Sequence, residues 1–161
     1  MKARIRIYPF FIVLVAMLTV FIVSPMAQEK PADNMQIVRE KIKTDKKLFI
    51  AQNMNLTESE AKVFWSVYEN YQKDLGTLVD KTVKLIDNYA ANYETMSEEA
   101  AKELIDGYLA IEGERVTLMK SFLPKFRKVL PEKKVARYYQ LENKIDAVVN
   151  FGLAKQIPLV K

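Results

Sequence analysis

The side chains best suited to binding chemistry are cations interleaved with aromatic residues in the last third of the chain. Seven cations and one acid, Glu132, lie between residues 120 and 137, together with two phenylalanines. Cations attract anionic groups from a distance, and exposed apolar side chains hold other apolar groups without a deep pocket. The candidate contact residues are Lys120, Phe122, Lys125, Phe126, Arg127, Lys128 and Arg137.

The same segment also has a plainer interpretation. Charges at helical spacing usually form a solvated helix face, and apolar residues at that spacing usually face a core. On periodicity alone we favour the core for Met119 and Phe122, and the pattern leaves Phe126 open. Phe64 and Trp65 are neighbours on a helix and point about 100° apart, so one of the two is a candidate for exposure.

Composition excludes several classes of chemistry. The chain has no histidine and no cysteine, so it cannot build a Ser-His-Asp or Cys-His nucleophile, and structural zinc and iron–sulfur sites lose their usual ligands. Glu98-Glu99 and Glu112-x-Glu114 are better explained as helix-start and surface charges than as metal ligands. There is no glycine-rich phosphate loop. We therefore expect no enzyme activity, no cofactor and no metal.

The amino-terminal segment predicts export. Three cations among the first six residues precede the apolar run from Phe10 to Val23, and Ala27 ends the segment with a small residue. This layout is typical of a secretory signal peptide, which we assign to residues 1–27, and it leaves residues 28–161 as a single mature domain. Because Pro25 occupies a position where a small side chain is preferred, an uncleaved inner-membrane anchor is the alternative.

The charge balance argues against nucleic acid as a partner. Three of the 25 lysine and arginine residues lie in the predicted signal, which leaves 22 cations against 20 acids in the mature chain. A nucleic-acid-binding domain would carry a larger positive excess. Membrane contact is expected only through the amino-terminal segment.

The predicted fold class is all-α. Four glycines in 161 residues supply few turns for a β fold, and apolar residues recur at helical spacing throughout. We expect a four-helix, elongated, antiparallel helical hairpin or bundle. In the first helix the predicted apolar stripe comprises Met35, Ile37, Val38, Ile42, Leu48 and Phe49.

Local signals predict where the helices begin. Asp33 is the expected cap of the first helix, which should end near Gln52. Thr57 and Glu60 have capping-box spacing for the second helix, and Ser97 is the expected cap of the third. Leu130-Pro131 precedes the fourth helix, with the proline in its first turn.

Proline and glycine predict where the later helices are interrupted or end. Pro124 should interrupt the third helix and bend it near Ser121, after which the helix should resume through Phe126 and Val129. Gly152 should terminate the fourth helix. The tail after it either docks on the core or stays free.

Two helix starts carry a family resemblance. Leu56-Thr57-Glu58-Ser59-Glu60 and Leu130-Pro131-Glu132-Lys133-Lys134, in an exported all-helical chain, resemble the Leu-Thr-x-x-Gln signature of the Spy/CpxP family of bacterial periplasmic proteins. The resemblance covers residues 35–155. Glu60 stands where the family has glutamine, and Pro131 and Lys134 replace the threonine and glutamine in the second copy.

The resemblance implies a periplasmic location and a thin helical hairpin that forms a homodimer through a long helix. Family members bind unfolded proteins without ATP, inhibit an envelope sensor kinase or respond to zinc. We therefore expect a non-enzymatic chaperone or stress-response factor whose partners are unfolded or partly folded envelope proteins, or an envelope sensor. The alternative is a membrane-tethered module that binds one specific envelope partner, and zinc sensing would need ligands that this chain lacks.

Overall fold

The computed structural model describes residues 31–160, with side chains from Lys43 onward. The four α-helices are α1 (Pro31–Met54), α2 (Glu58–Asn92), α3 (Glu98–Val129) and α4 (Glu132–Ala154), and a single 3-10 turn (Tyr93–Thr95) follows α2. Residues 31–160 contain no strand, which confirms the predicted all-α class. The predicted signal peptide lies outside the described residues.

The chain divides into two units, residues 1–42 and residues 43–161. Of the first unit the structure describes only residues 31–42, which form the first half of α1. The second unit contains the rest of α1 and the other three helices. None of the helices described between residues 31 and 160 has the length and apolarity that crossing a bilayer requires.

Side-chain caps fix the starts of the two longest helices, as the sequence predicts. The Thr57 hydroxyl accepts a hydrogen bond from the Glu60 backbone N–H at 3.3 Å, and the Thr57 N–H donates to the Glu60 carboxylate at 2.8 Å. The Ser97 hydroxyl accepts from the Ala100 N–H at 3.2 Å. Both caps satisfy backbone donors that the first helical turn leaves without partners.

Contacts between helices define an up-and-down arrangement of residues 43–160. Rings of Tyr71 and Phe122 lie 5.3 Å apart and Lys81 pairs with Glu114, so α2 and α3 run antiparallel. Helix α4 runs parallel to α2, because Glu60–Lys134 and Gln72–Glu142 follow the same order along both helices. Tyr89 on α2 and Pro158 in the segment after α4 continue this order. We call the Glu60–Lys134 end the bottom of the bundle and the Tyr89–Pro158 end its top.

An aromatic cluster fills the lower half of this bundle. Phe126 and Tyr138 have ring centroids 4.5 Å apart, and Phe64 meets Tyr138 edge-on at 5.4 Å. Aromatic pairs in such geometries stabilise a core beyond the area that they bury. The buried members from α2, α3 and α4 are Phe64, Tyr68, Tyr71, Phe122, Phe126 and Tyr138.

The predicted apolar face of α1 is wrong in the part where side chains are described. Leu48 and Phe49 are exposed, whereas Ile50 and Met54 are completely buried in the core. The buried pair is spaced by four residues and continues upward to Lys46, which also faces the bundle. Periodicity identified a helix here but not the side that meets α2 and α4, because apolar residues lie on both sides.

Two predicted helix boundaries and one predicted interruption are also wrong. Helix α1 begins at Pro31, where the missing N–H costs nothing, and Asp33 lies inside it. Helix α3 is continuous through Pro124, because Phe122 and Phe126 on either side are buried and hold that turn in place. Helix α4 passes through Gly152 and ends at Ala154. The bend near Ser121 stays a prediction.

The first prediction concerns the pH dependence that Glu60 confers. A hydrogen bond from the Lys134 ammonium, followed by the bond from the Thr57 backbone N–H, lowers the pKa of Glu60. A carboxyl group with a lowered folded pKa stabilises the fold above its ordinary pKa and loses that contribution as pH falls through the folded value. Glu60→Gln keeps a capping-box side chain but removes the charge.

We therefore expect Glu60→Gln to lower the thermal unfolding midpoint slightly at pH 7 and to match the parent at pH 2 to 3. Circular dichroism melts of both proteins at the two pH values measure this. Thr57→Ala is the matched control, since it removes the cap at both pH values. An equal gap between parent and Glu60→Gln at neutral and acid pH would contradict the assignment.

Candidate functional site

Two of the cations in the basic segment hold the end of α1. The Lys134 ammonium donates to the Asn55 carbonyl at 2.8 Å and pairs with Glu60, and Arg137 Nε donates to the Asn53 carbonyl. Asn55 has a φ of 48°, the left-handed conformation that ends many helices. Cations are favoured at a helix carboxyl terminus because carbonyls there lack partners. The candidate contact residue Arg137 therefore has a structural task.

The two phenylalanines of the candidate segment lie in the core. Phe122 is 2% exposed and Phe126 is fully buried, so neither offers apolar surface to a partner. This corrects their selection as contact residues, and the physical reason is that both rings face Tyr71 of α2, while Phe126 also meets the Tyr138 ring. The preference for the core stated for Phe122 is confirmed.

The remaining cations of the segment are exposed. Arg127 pairs with Glu132 at 2.9 Å, and the Lys125 ammonium lies 3.8 Å from the centre of the Phe122 ring. Lys120, Lys128 and Lys133 make no hydrogen bond or ion pair with the side chains described from Lys43 to Val160. These three cations are therefore the ones available to an anionic partner.

The residues of the two family-like helix starts serve the fold. Thr57 and Glu60 form the capping box, and Leu56 packs partly buried against the core. Leu130 is buried, and Pro131 precedes α4, where its carbonyl accepts from the first turn at 2.9 and 3.0 Å.

A buried carboxylate lies where α1, α2 and α4 meet. Glu142 is 3% exposed; it pairs with the Lys46 ammonium at 2.8 Å and accepts from the Gln72 amide at 3.0 Å. The same amide lies 3.4 Å from the Tyr138 hydroxyl. Burial, and then the charge of Glu142, raise the pKa of Tyr138, so this phenol is neutral at physiological pH.

Beyond this network, the second unit carries partly exposed valines on α2 and α4. Val79 follows Gln72 by seven residues and Val149 follows Glu142 by seven, so each lies two turns further along the same side of its helix. Val79 is 47% exposed and Val149 is 53% exposed. Between residues 43 and 160, apolar side chains therefore continue on this side of both helices past the polar network and stay about half exposed.

Two further valines extend this open surface. Val83 follows Gln72 by eleven residues, which places it on the side of α2 that bonds Glu142 lower down. Val148 follows Arg137 by eleven residues, which places it on the side of α4 that bonds the end of α1. We call the four exposed valines the α2/α4 face: Val79, Val83, Val148 and Val149. It lies between the Gln72–Glu142 bond and the Tyr89–Pro158 bond, a rise of about 25 Å along α2.

A surface cavity between α2 and α3 is a weaker candidate site. It has a volume of about 530 Å³ and lies between α2 and α3. The hydroxyls of Thr77, Thr117 and Ser121 line it, but each donates to a carbonyl of its own helix. Among the described side chains no cluster of three or more acidic groups could hold a metal ion.

Comparison with known proteins adds no assignment, since no family model, curated protein or solved structure matches this chain.

The α2/α4 face was not identified from the sequence. A signal for it was present, because Glu142 is a charged residue four positions after Tyr138 and seven after Val135, on the core side of α4. A charge in such a register marks a place where the core becomes polar or ends.

The second prediction tests the buried network. Glu142→Ala should destabilise residues 43–161 by about 3 kcal/mol, because the Lys46 ammonium and the Gln72 amide lose their acceptor in a poorly solvated place. The double variant Lys46→Met and Glu142→Leu should recover most of that loss, since no charge remains buried. Urea unfolding followed by circular dichroism measures both. If the double variant were as unstable as Glu142→Ala, the cost would not come from an unpaired charge.

Proposed function

We propose that this chain is a non-enzymatic periplasmic protein that binds unfolded or partly folded envelope polypeptides without ATP. The single observation that carries the proposal is the α2/α4 face, whose four valines continue the helical register of α2 and α4 past the Gln72–Glu142 bond and are exposed among the side chains described from Lys43 to Val160. Exposed apolar surface on a soluble domain often marks a site for a partner. The resemblance to the Spy/CpxP family supports the same function.

The chemistry of the α2/α4 face suits a protein that binds polypeptides of many different sequences. The four valines are exposed aliphatic side chains, so they suit apolar side chains in general and not one specific group. Lys128 on α3 adds positive charge elsewhere on the same unit, with no ion pair among the described side chains, which accelerates encounters with acidic chains. An envelope sensor with an exposed apolar helix is a second partner of the same chemistry.

The third prediction is that the mature chain delays aggregation of reduced α-lactalbumin at near-equimolar ratio without nucleotide. The double variant Val79→Gln and Val149→Gln should need about tenfold more protein for the same delay, because two apolar contacts worth about 0.7 kcal/mol each are lost. Light scattering during reduction measures the delay.

Val63→Gln is the matched control for this experiment. Val63 is 45% exposed on α2, close to the 47% of Val79, but it lies on another side of the helix. It should behave like the parent. A parent chain that never delays aggregation, or equal effects of the Val63 and Val79 changes, would refute the proposed surface.

We also propose that two copies pair through α3. Ile105, Leu109 and Val116 recur at helical spacing on an exposed side of α3, about 48 to 60% exposed, and Lys120 continues the line. The first third of α3 is acidic and the last third is basic. In an antiparallel pair with Leu109 against Val116 of the second copy, Asp106 lies beside the second copy's Lys120.

The fourth prediction is a charge-swap cycle at that interface. Asp106→Lys and Lys120→Glu should each weaken the dimer, and the double variant should restore it, since opposite charges again face each other. Sedimentation equilibrium at several protein concentrations measures the association. A parent that is monomeric at all concentrations, or a double variant weaker than both single ones, would exclude this pairing.

A further inference from the structure

A second cavity between α2 and α3 lies at the top of the bundle, where the 3-10 turn joins the two helices. It has a volume of about 200 Å³, and residues from the last turns of α2 and the first turns of α3 line it. Sites for drug-sized ligands usually have volumes of roughly 300 to 1,000 Å³. This cavity therefore suits a ligand of only a few heavy atoms.

The polar side chains that line the cavity have acceptors to spare. Asn92 Nδ2 donates to the Asn88 carbonyl at 2.8 Å and to Asn88 Oδ1 at 2.9 Å, which leaves Asn92 Oδ1 as an acceptor. The Glu103 carboxylate makes no hydrogen bond or ion pair with the side chains described from Lys43 to Val160. One charged and one neutral oxygen group thus border the same small space.

The rest of the lining is mainly apolar. Leu85, Leu104 and Met96 contribute aliphatic and thioether surface, and Tyr89 contributes an aromatic ring that is only 6% exposed. The Tyr89 hydroxyl already donates to the Pro158 carbonyl at 2.6 Å. Aromatic rings attract cations through their negative faces, and aliphatic walls accept a hydrocarbon chain.

The charge around the cavity favours a cation. Residues 87–106 contain six acids and a single cation, Lys102. A surface of one sign raises the local concentration of ions of the opposite sign. A metal ion such as Ca²⁺ takes six to eight oxygen ligands, more than one carboxylate and one amide oxygen supply among apolar neighbours. An organic cation with a short hydrocarbon chain matches both the acceptors and the apolar lining.

We propose that this cavity binds a small primary alkylammonium ion. The ammonium group donates hydrogen bonds to the Glu103 carboxylate and to Asn92 Oδ1, and the hydrocarbon chain lies against Leu85 and Leu104. This site is separate from the α2/α4 face, and its occupancy does not depend on polypeptide binding. All the side chains that form it belong to the described part of the second unit.

The fifth prediction is that putrescine, 1,4-diaminobutane, binds the mature chain saturably at pH 7 and shifts the side-chain amide signals of Asn88 and Asn92. Titration followed by ¹H–¹⁵N correlation spectra measures the affinity and locates the site. 1,4-Butanediol has the same chain without charge and should cause no such shift. Glu103→Gln should weaken putrescine binding about fivefold, since an exposed ion pair contributes modestly.

Two further variants distinguish the cavity from general attraction to acidic groups. Asp87→Asn removes the same charge from an exposed acid beside Asn88 that does not line the cavity, and it should bind like the parent. Ala100→Leu keeps every charge but fills the space, and it should abolish saturable binding.

Absence of saturable shifts in the parent would overturn the proposal. Equal weakening by Asp87→Asn and Glu103→Gln would show only ion attraction to the acidic end of the bundle. Unchanged binding by Ala100→Leu would place the ligand outside the cavity, and binding of butanediol as tight as that of putrescine would refute recognition of the ammonium group. None of these results would affect the proposed polypeptide binding, which is measured by aggregation.

Discussion

The structure depends on one ion pair, Lys46 with Glu142, at the point where three helices meet. A carboxylate that is 3% exposed is tolerated only with a charged partner and further hydrogen bonds, and Lys46 and Gln72 provide them. The pair fixes where the end of α1 lies along α4, since a slip of one turn would leave both charges without partners. Below it, the end of α1 joins the other three helices around an aromatic core, and above it Val79, Val83, Val148 and Val149 are exposed among the side chains described from Lys43 to Val160.

The parts of the fold that the sequence predicts are those set by short-range chemistry. The capping box at Thr57 and the cap at Ser97 need only residues three positions apart, and both are present as expected. The interruption expected at Pro124 is wrong because proline costs about 3 kcal/mol inside a helix, which the burial of Phe122 and Phe126 on either side can exceed. Glycine costs only about 1 kcal/mol inside a helix, so Gly152 alone does not force α4 to end.

The candidate site was predicted only in part, because helical periodicity finds a stripe without saying what covers it. Phe126 and Val149 both follow the apolar register of their helices, yet Phe126 is completely buried and Val149 is half exposed. The difference comes from the helix opposite each residue, which one-dimensional spacing does not contain. Glu142 is the sequence clue to the change from buried to exposed side chains along α4, since it places a charge between buried Tyr138 and exposed Val149.

The cations of the basic segment, residues 120 to 137, divide between stabilising the fold and remaining available to a partner. Lys134 and Arg137 donate to carbonyls at the end of α1, so part of the basic segment stabilises the same helix end that supplies Ile50 and Met54 to the core. Lys128 makes no such bond among the described residues.

Because the lower half is held by aromatic packing, caps and the buried pair, the upper half of α2 and α4 need not bury all its valines for the domain to fold. An apolar surface can therefore persist on a stable scaffold, which a protein that holds non-native chains requires.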